Sequence, residues 1–285
     1  MARTQLAGRI DLDEQAITED LGKAAGFGYS EAYSDYVCGG PWKSCMLWAA
    51  GGDVGDGLIT NYDHTRKTTI TEYGQQLPYL RSVVEKNFNL ERLNFARLAV
   101  IADSVTIPHR DLLELGDIPE AERTTHRMHL SLVTNDDCFF TQDNVVYRMR
   151  PGEVWFFDAA KVHGAGSLTP ERRIHLILDF AAVRDAQDLV RFPLEPAAGI
   201  PAENVYDRPP LAEAERRELI RLAEIIDQDN YRDVFSIVIR KSYRTDGGED
   251  FVWKTLDEIG KLSKNESVRA KIAELHRFFL MERSA

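Results

Sequence analysis

Between about Leu93 and Phe180, apolar and polar residues alternate in short runs broken by turn residues, a period of two that predicts β-strands. The runs are Phe95 to Ile101, Arg127 to Val133, Cys138 to Thr141, Val145 to Met149, Val154 to Phe157 and Arg173 to Phe180, with Arg150-Pro151-Gly152-Glu153 forming a turn that leads into the fifth. So many short strands at this spacing predict an antiparallel barrel or jelly roll. Beyond residue 210 the period lengthens. Leu211, Leu219, Leu222 and Ile226 fall on one helical stripe, and Val268, Ile272, Leu275 and Phe279 on another. Trp253, Leu256 and Ile259 mark a helix between them, with Asp246 or Asp250 as its cap. The segment from Phe192 to Pro210 carries five of the eleven prolines and reads as an extended linker. Residues 1–92 mix helical signals with glycine pairs at 39–40 and 51–52; the clearest helix runs from Tyr79 to Phe88, with Pro78 in a tolerated first-turn position. The expected division is an N-terminal mixed segment (1–92) packing on a β core (93–192), then a linker (193–210) and a helical domain (211–285).

Charge and length narrow the functional classes. The 285 residues include 46 acidic and 35 basic side chains, a net charge of −11, which disfavours nucleic acid or an anionic membrane as partner. Three cysteines, at 38, 45 and 138, have neither paired nor metal-binding spacing and suit packing in a reducing compartment. The N-terminus lacks the apolar stretch of a signal peptide, and no run approaches the roughly 20 apolar residues of a membrane helix. The expectation is a cytoplasmic protein.

Five of the seven histidines lie between 109 and 175. His109 and Asp111 are two residues apart, so on an extended segment they project to one side. His163, after a predicted strand and before a small-residue loop, is the natural third member of a 2-His-1-carboxylate metal site. The H-x-D pair alone is equally compatible with a core histidine beside a surface acid. Arg173 adds weight: strand alternation puts Arg173, His175, Ile177 and Asp179 on one face, and an inward arginine needs a partner, either Asp179 or the carboxylate of a dicarboxylate cosubstrate. Arg127, His129 and Ser131 likewise share a strand face, which would line a polar pocket or look to solvent. Arg97 is a further candidate for an inward arginine.

Together, His109, Asp111, His163 and Arg173, with the phrases IPHRDLLEL and MRPGEVWFFDAAKVH, resemble the bacterial proline hydroxylases, especially the cis-3-proline hydroxylase group. The RMHLSL strand resembles the wider aspartyl/asparaginyl β-hydroxylase superfamily. The resemblance implies a double-stranded β-helix, mainly β with helical additions and a C-terminal helical domain. It implies Fe(II) on His109, Asp111 and His163, and 2-oxoglutarate on Arg173 and His129, with O2 as the other cosubstrate. Arg127 would take the carboxylate of a small amino-acid substrate such as proline or pipecolate. Trp42, Lys43 and Trp48 resemble family positions near the pocket mouth, with aromatic packing an equal option for both tryptophans. The chain departs from the proline hydroxylases at His129 and across residues 112–126, where Glu114, Asp117, Glu120 or Glu122 could meet a substrate amine or simply belong to a solvated lid. Other readings stay open here: a peptide- or carrier-bound substrate, desaturation or ring formation at the same iron, a non-catalytic cupin-like binding module, or a zinc hydrolase in which Arg173 would lack a purpose. Oligomeric state is open too, a homodimer included.

Overall fold

The computed structural model describes residues 3–111, 126–181, 183–196 and 199–280. Its strands are β1 (Gln5–Arg9), β2 (Val37–Gly39), β3 (Lys43–Ala50), β4 (Thr68–Ile70), β5 (Leu93–Ile101), β6 (Ser104–Thr106), β7 (His126–Val133), β8 (Cys138–Gln142), β9 (Val145–Tyr147), β10 (Glu153–Phe157), β11 (His163–Ser167) and β12 (Arg173–Phe180). The helices are α1 (Glu14–Ala24), α2 (Glu72–Gln75), α3 (Pro78–Asn87), α4 (Glu213–Ile220), α5 (Tyr231–Arg244), α6 (Phe251–Leu262) and α7 (Glu266–Leu280).

Among the described residues the strands form two antiparallel sheets, ordered β1-β10-β7-β12-β5-β3-β4 and β2-β6-β11-β8-β9. They face one another as a double-stranded β-helix, the jelly roll expected from the strand pattern. Because side chains alternate along each strand, the large sheet has two distinct faces. Its outer face presents Ala96, Leu98, Met128, Leu130, Leu176 and Leu178, buried beneath Leu80, Val83 and Val84 of α3 and Ile17 of α1. The small sheet turns Val105, Phe139 and Val146 outward against Val238, Tyr243, Trp253, Leu256 and Phe279 of the C-terminal helices. Between the sheets, Phe140, Tyr147, Trp155, Phe157 and Ala165 close the interior around the polar site.

Three features depart from the sequence reading. The N-terminal segment does not merely lie against the core: β1, β3 and β4 are strands of the large sheet, and β2 is an edge of the small one. The HGAGS segment is strand β11 itself, although its glycines make it look like a loop. An added Cβ on Gly164 would lie 3.2 Å from the Tyr243 hydroxyl, and one on Gly166 3.0 Å from the Tyr243 ring, so the glycines admit α5 close against the strand. Asp250 occupies the position before α6 with a φ of 57°, yet its side chain makes no capping hydrogen bond.

Candidate active site

The two sheets contribute different chemistry to one cavity of about 100 Å³. From the small-sheet side come the metal-binding candidates. The backbones of His109 and His163 exchange hydrogen bonds of 3.0 and 2.9 Å, which sets their imidazoles side by side with centroids 4.4 Å apart. The Asp111 N–H donates to the Ala159 carbonyl at 2.9 Å, holding the third residue at the same edge. Each ring Nδ1 meets a backbone carbonyl, His109 that of Ile107 at 2.6 Å and His163 that of Lys161 at 2.9 Å. This fixes the proton on Nδ1 and leaves both Nε2 lone pairs toward the Asp111 carboxylate, at 3.3 and 3.9 Å. One donor atom from each of the three residues lies within 4.8 Å of the others. Two neutral imidazoles and one carboxylate on one side of an ion form a donor set suited to Fe(II).

Electrostatics keep these groups in binding form. Burial, with the neighbouring His109, pushes the His163 imidazole down to about 3, so it is neutral at physiological pH. Burial alone would raise the Asp111 carboxyl, but the Arg127 charge outweighs it and holds the group well below its usual range.

From the large sheet come the anchors for anions. Register places Ile177 of β12 directly between Arg97 of β5 and His129 of β7, while Asp179 lies opposite Arg127. Arg97, Arg127, His129 and Arg173 therefore all face the cavity. Arg173 is 5% exposed, its guanidinium rests 4.6 Å above the Phe140 ring, and its Nε and Nη1 have no hydrogen-bond partner among the described residues. Arg97 is 4% exposed and also carries an unpartnered Nε and Nη1, beside the rings of Trp42 and Tyr33 at 5.4 and 5.8 Å. Buried cations with unused donors are costly unless an anion arrives, so both guanidiniums suit small carboxylates such as the distal end of 2-oxoglutarate. His129, neutral through burial and the nearby His175, offers a further unpartnered Nδ1.

Residues 8–182 match the family model for aspartyl/asparaginyl beta-hydroxylase, and residues 188–285 match that for the C-terminal part of L-proline 3-hydroxylase. The chain belongs to the aspartyl/asparaginyl β-hydroxylase family. It is 30% identical over 283 residues to the L-proline cis-4-hydroxylase of Rhizobium meliloti strain 1021, covering 98% of this chain and 96% of that one. With L-proline cis-3-hydroxylase 2 of a Streptomyces species it shares 28% identity over 287 residues, 99% and 96% of the two chains. Among solved structures, a 2OG-Fe(II) oxygenase family protein from Burkholderia pseudomallei aligns with 62% of this chain and 84% of its own, at 10% identity and a TM-score of 0.39. The chain is accordingly a hydroxylase acting on an amino-acid C–H bond, with His109, Asp111 and His163 as its candidate iron site.

Several residues of the hydroxylase stand elsewhere than the sequence suggests. Trp48 lies in the outer core beneath α2 and α3, 3% exposed, because β3 turns it away from the cavity; Trp42, just before β3, lines the site instead. Lys43 pairs with Glu31 at 3.1 Å. Arg127 lines the cavity, but its guanidinium is already taken by Asp179 at 2.7 Å and by Asp111, which leaves it poorly placed for a substrate carboxylate. Asp179 serves Arg127 and Arg97 rather than Arg173. His175 sits behind His129 and Phe140, at ring distances of 5.7 and 5.4 Å. Tyr33, Tyr36, Ile59 and Thr106 complete the lining and carried no sequence signal, since single residues in irregular or short segments have no period to expose them. Cys38, Cys45 and Cys138 are buried free thiols, as their spacing suggested. Glu114, Asp117, Glu120 and Glu122 lie outside the described residues. No helix among the described residues is long and apolar enough to cross a membrane.

Proposed function

We propose that the enzyme hydroxylates a small free amino acid, proline or a similar cyclic imino acid first among them, with iron on His109, Asp111 and His163. Arg173 would hold the distal carboxylate of 2-oxoglutarate, with His129 beside it, and Arg97 would hold the α-carboxylate of the substrate. The observation that carries this reading is the pair of buried arginines with unused donors on one cavity wall, facing the His-Asp-His cluster on the other. Two separate anion anchors suit a reaction that needs two carboxylates at once, one from cosubstrate and one from substrate. The described lining carries three arginines and one aspartate, net positive in a chain of net charge −11. The substrates of the curated relatives favour a free amino acid over a polypeptide segment.

When bound, iron and 2-oxoglutarate would activate O2, the oxidant, with 2-oxoglutarate oxidised to succinate and CO2 as coproducts. The protein's own task is placement. Arg97 fixes one end of the substrate, so the carbon attacked is set by its distance from that carboxylate. Trp42, Tyr33, Phe157 and Ile177 shield the reacting carbon from bulk water.

The test is anaerobic reconstitution with Fe(II), then O2 with 2-oxoglutarate and a panel of free amino acids, reading succinate and the mass gain of one oxygen atom. Stoichiometric succinate and hydroxylated product with proline or a homologue is expected. An empty panel, alongside turnover of a peptidyl or carrier-bound prolyl substrate, would overturn the reading.

A further inference from the structure

The Asp179 carboxylate is fully buried and shared between two arginines. Its Oδ1 accepts from Arg127 Nε at 2.7 Å, and its Oδ2 lies 3.5 Å from Arg127 Nη2 and 3.7 Å from Arg97 Nη2. Arg127 reaches with its remaining arm to Oδ2 of Asp111. The result is an unbroken buried chain of alternating charge, Asp111–Arg127–Asp179–Arg97, running from the candidate metal cluster on one wall to Arg97 on the other, whose Nε and Nη1 have no partner among the described residues. Cross-strand register builds it, since Asp179 and Arg127 are directly opposed while Arg97 sits one step along on the neighbouring strand.

We infer that Asp179 is a positioning residue that couples the occupied metal site to the substrate anchor; this rests on the assignment of Arg97 as that anchor. A divalent ion on Asp111 competes with Arg127 for that carboxylate. Arg127 then leans more heavily on Asp179, whose hold on Arg97 weakens correspondingly, and the freed guanidinium binds a carboxylate more tightly. By thermodynamic reciprocity the bound carboxylate tightens the metal by the same factor. Such an order keeps the anchor weak until the metal is in place. The guanidinium suits position 127 because its rigid fork directs Nε and Nη2 to Asp179 and Nη1 to Asp111 at the same time, a fixed geometry that a lysine ammonium lacks.

The experiment compares L-proline affinity, by calorimetry, for metal-free protein and for protein loaded with Ni(II) and 2-oxoglutarate, which do not turn over. Wild type is expected to bind proline at least about tenfold more tightly when loaded. In Asp179→Asn the ratio of the two affinities should fall to within about twofold of unity. Arg127→Lys, which keeps the charge and loses the fork, should do the same and serves if Asp179→Asn folds poorly. A purely structural Asp179 would lower the melting temperature and leave the ratio intact, and an unchanged ratio in both variants overturns the coupling. If Arg127 were itself the anchor, Arg127→Lys would weaken both affinities in parallel, which also overturns it. Absence of proline binding to wild type removes anchor and relay together, whereas the hydroxylase reading falls only if the turnover panel is empty as well.

Discussion

Replacing Arg173 by methionine tests the cosubstrate site most directly, because it separates a binding arginine from a structural one. The substitution keeps an unbranched apolar stem and deletes a buried guanidinium whose Nε and Nη1 have no partner among the described residues. Burial also depresses its proton affinity, as expected of a cation held without a counter-charge. In the free protein, loss of the contact over Phe140 costs about 1–2 kcal/mol, while removing unpaired buried donors recovers about 1–3 kcal/mol, so the two nearly cancel. In the complex, two charge-assisted hydrogen bonds at roughly 1.5–3 kcal/mol each disappear, which corresponds to a loss of about 10²–10⁴ in 2-oxoglutarate affinity. The expected signature is a melting temperature within about 2 °C of wild type, or above it, with KM for 2-oxoglutarate raised at least a hundredfold in a succinate-release assay. A protein that melts several degrees lower and keeps its KM would refute the assignment, since it would show an internal ion pair that the described structure does not contain.

Three further outcomes follow from named contacts. His129 and His175 are both depressed by burial from an ordinary 6.5, so below that pH the unfolded chain takes up protons that the folded one refuses; metal-free protein should lose up to about 1.4 kcal/mol per group for each pH unit below 6.5, and a melting temperature flat from pH 7 to 5.5 would contradict this. Gly166→Ala places a methyl about 3.0 Å from the Tyr243 ring and should cost about 1–3 kcal/mol in chemical denaturation, whereas an unchanged midpoint would mean that α5 yields freely. Trp253→Phe deletes the 2.9 Å hydrogen bond from its Nε1 to the Pro108 carbonyl, one residue before His109, and should weaken Ni(II) binding about tenfold; unaltered affinity would show that His109 is held by its own strand contacts alone.

The legible parts of the molecule were those with a period. Arg173 to Phe180 and the 127–133 run show strict alternation, and the structure has them as β12 and β7 with the same faces inward. Of the C-terminal patterns, the 211–226 stripe became α4 and a short 3-10 turn, the Trp253 helix became α6 and the 268–279 stripe became α7, for the same reason. Strands β2, β4 and β6, at three residues each, are too short to display alternation. Strand β3 is buried along nearly its whole length, so its run KSCMLWAA is apolar without a period. Strand β11 was hidden by glycines that answer to a tyrosine almost 80 residues away. Chemistry and spacing brought out the His109-Asp111-His163 cluster, and strand alternation the inward face of Arg173. What one sequence does not disclose is which of several inward arginines is already paired: Arg127 and Arg97 look alike on their strands, and only the register opposite Asp179 separates them.

Arg97, His129, Arg127 and Arg173 all stand on three adjacent strands of the large sheet, while the candidate metal-binding histidines lie at the start of β11 and on the segment bridged to it, in the small sheet that the C-terminal helices cover. Recognition and reactivity are thus housed on opposite walls, joined chiefly through Arg127. Such a partition makes the fold adaptable: residues on β5, β7 and β12 can be exchanged to admit a differently shaped amino acid while the metal's surroundings stay as they are. A library directed at those inward positions, sparing Arg127 and Asp179, is the natural place to look for altered substrate range without loss of the oxidising centre.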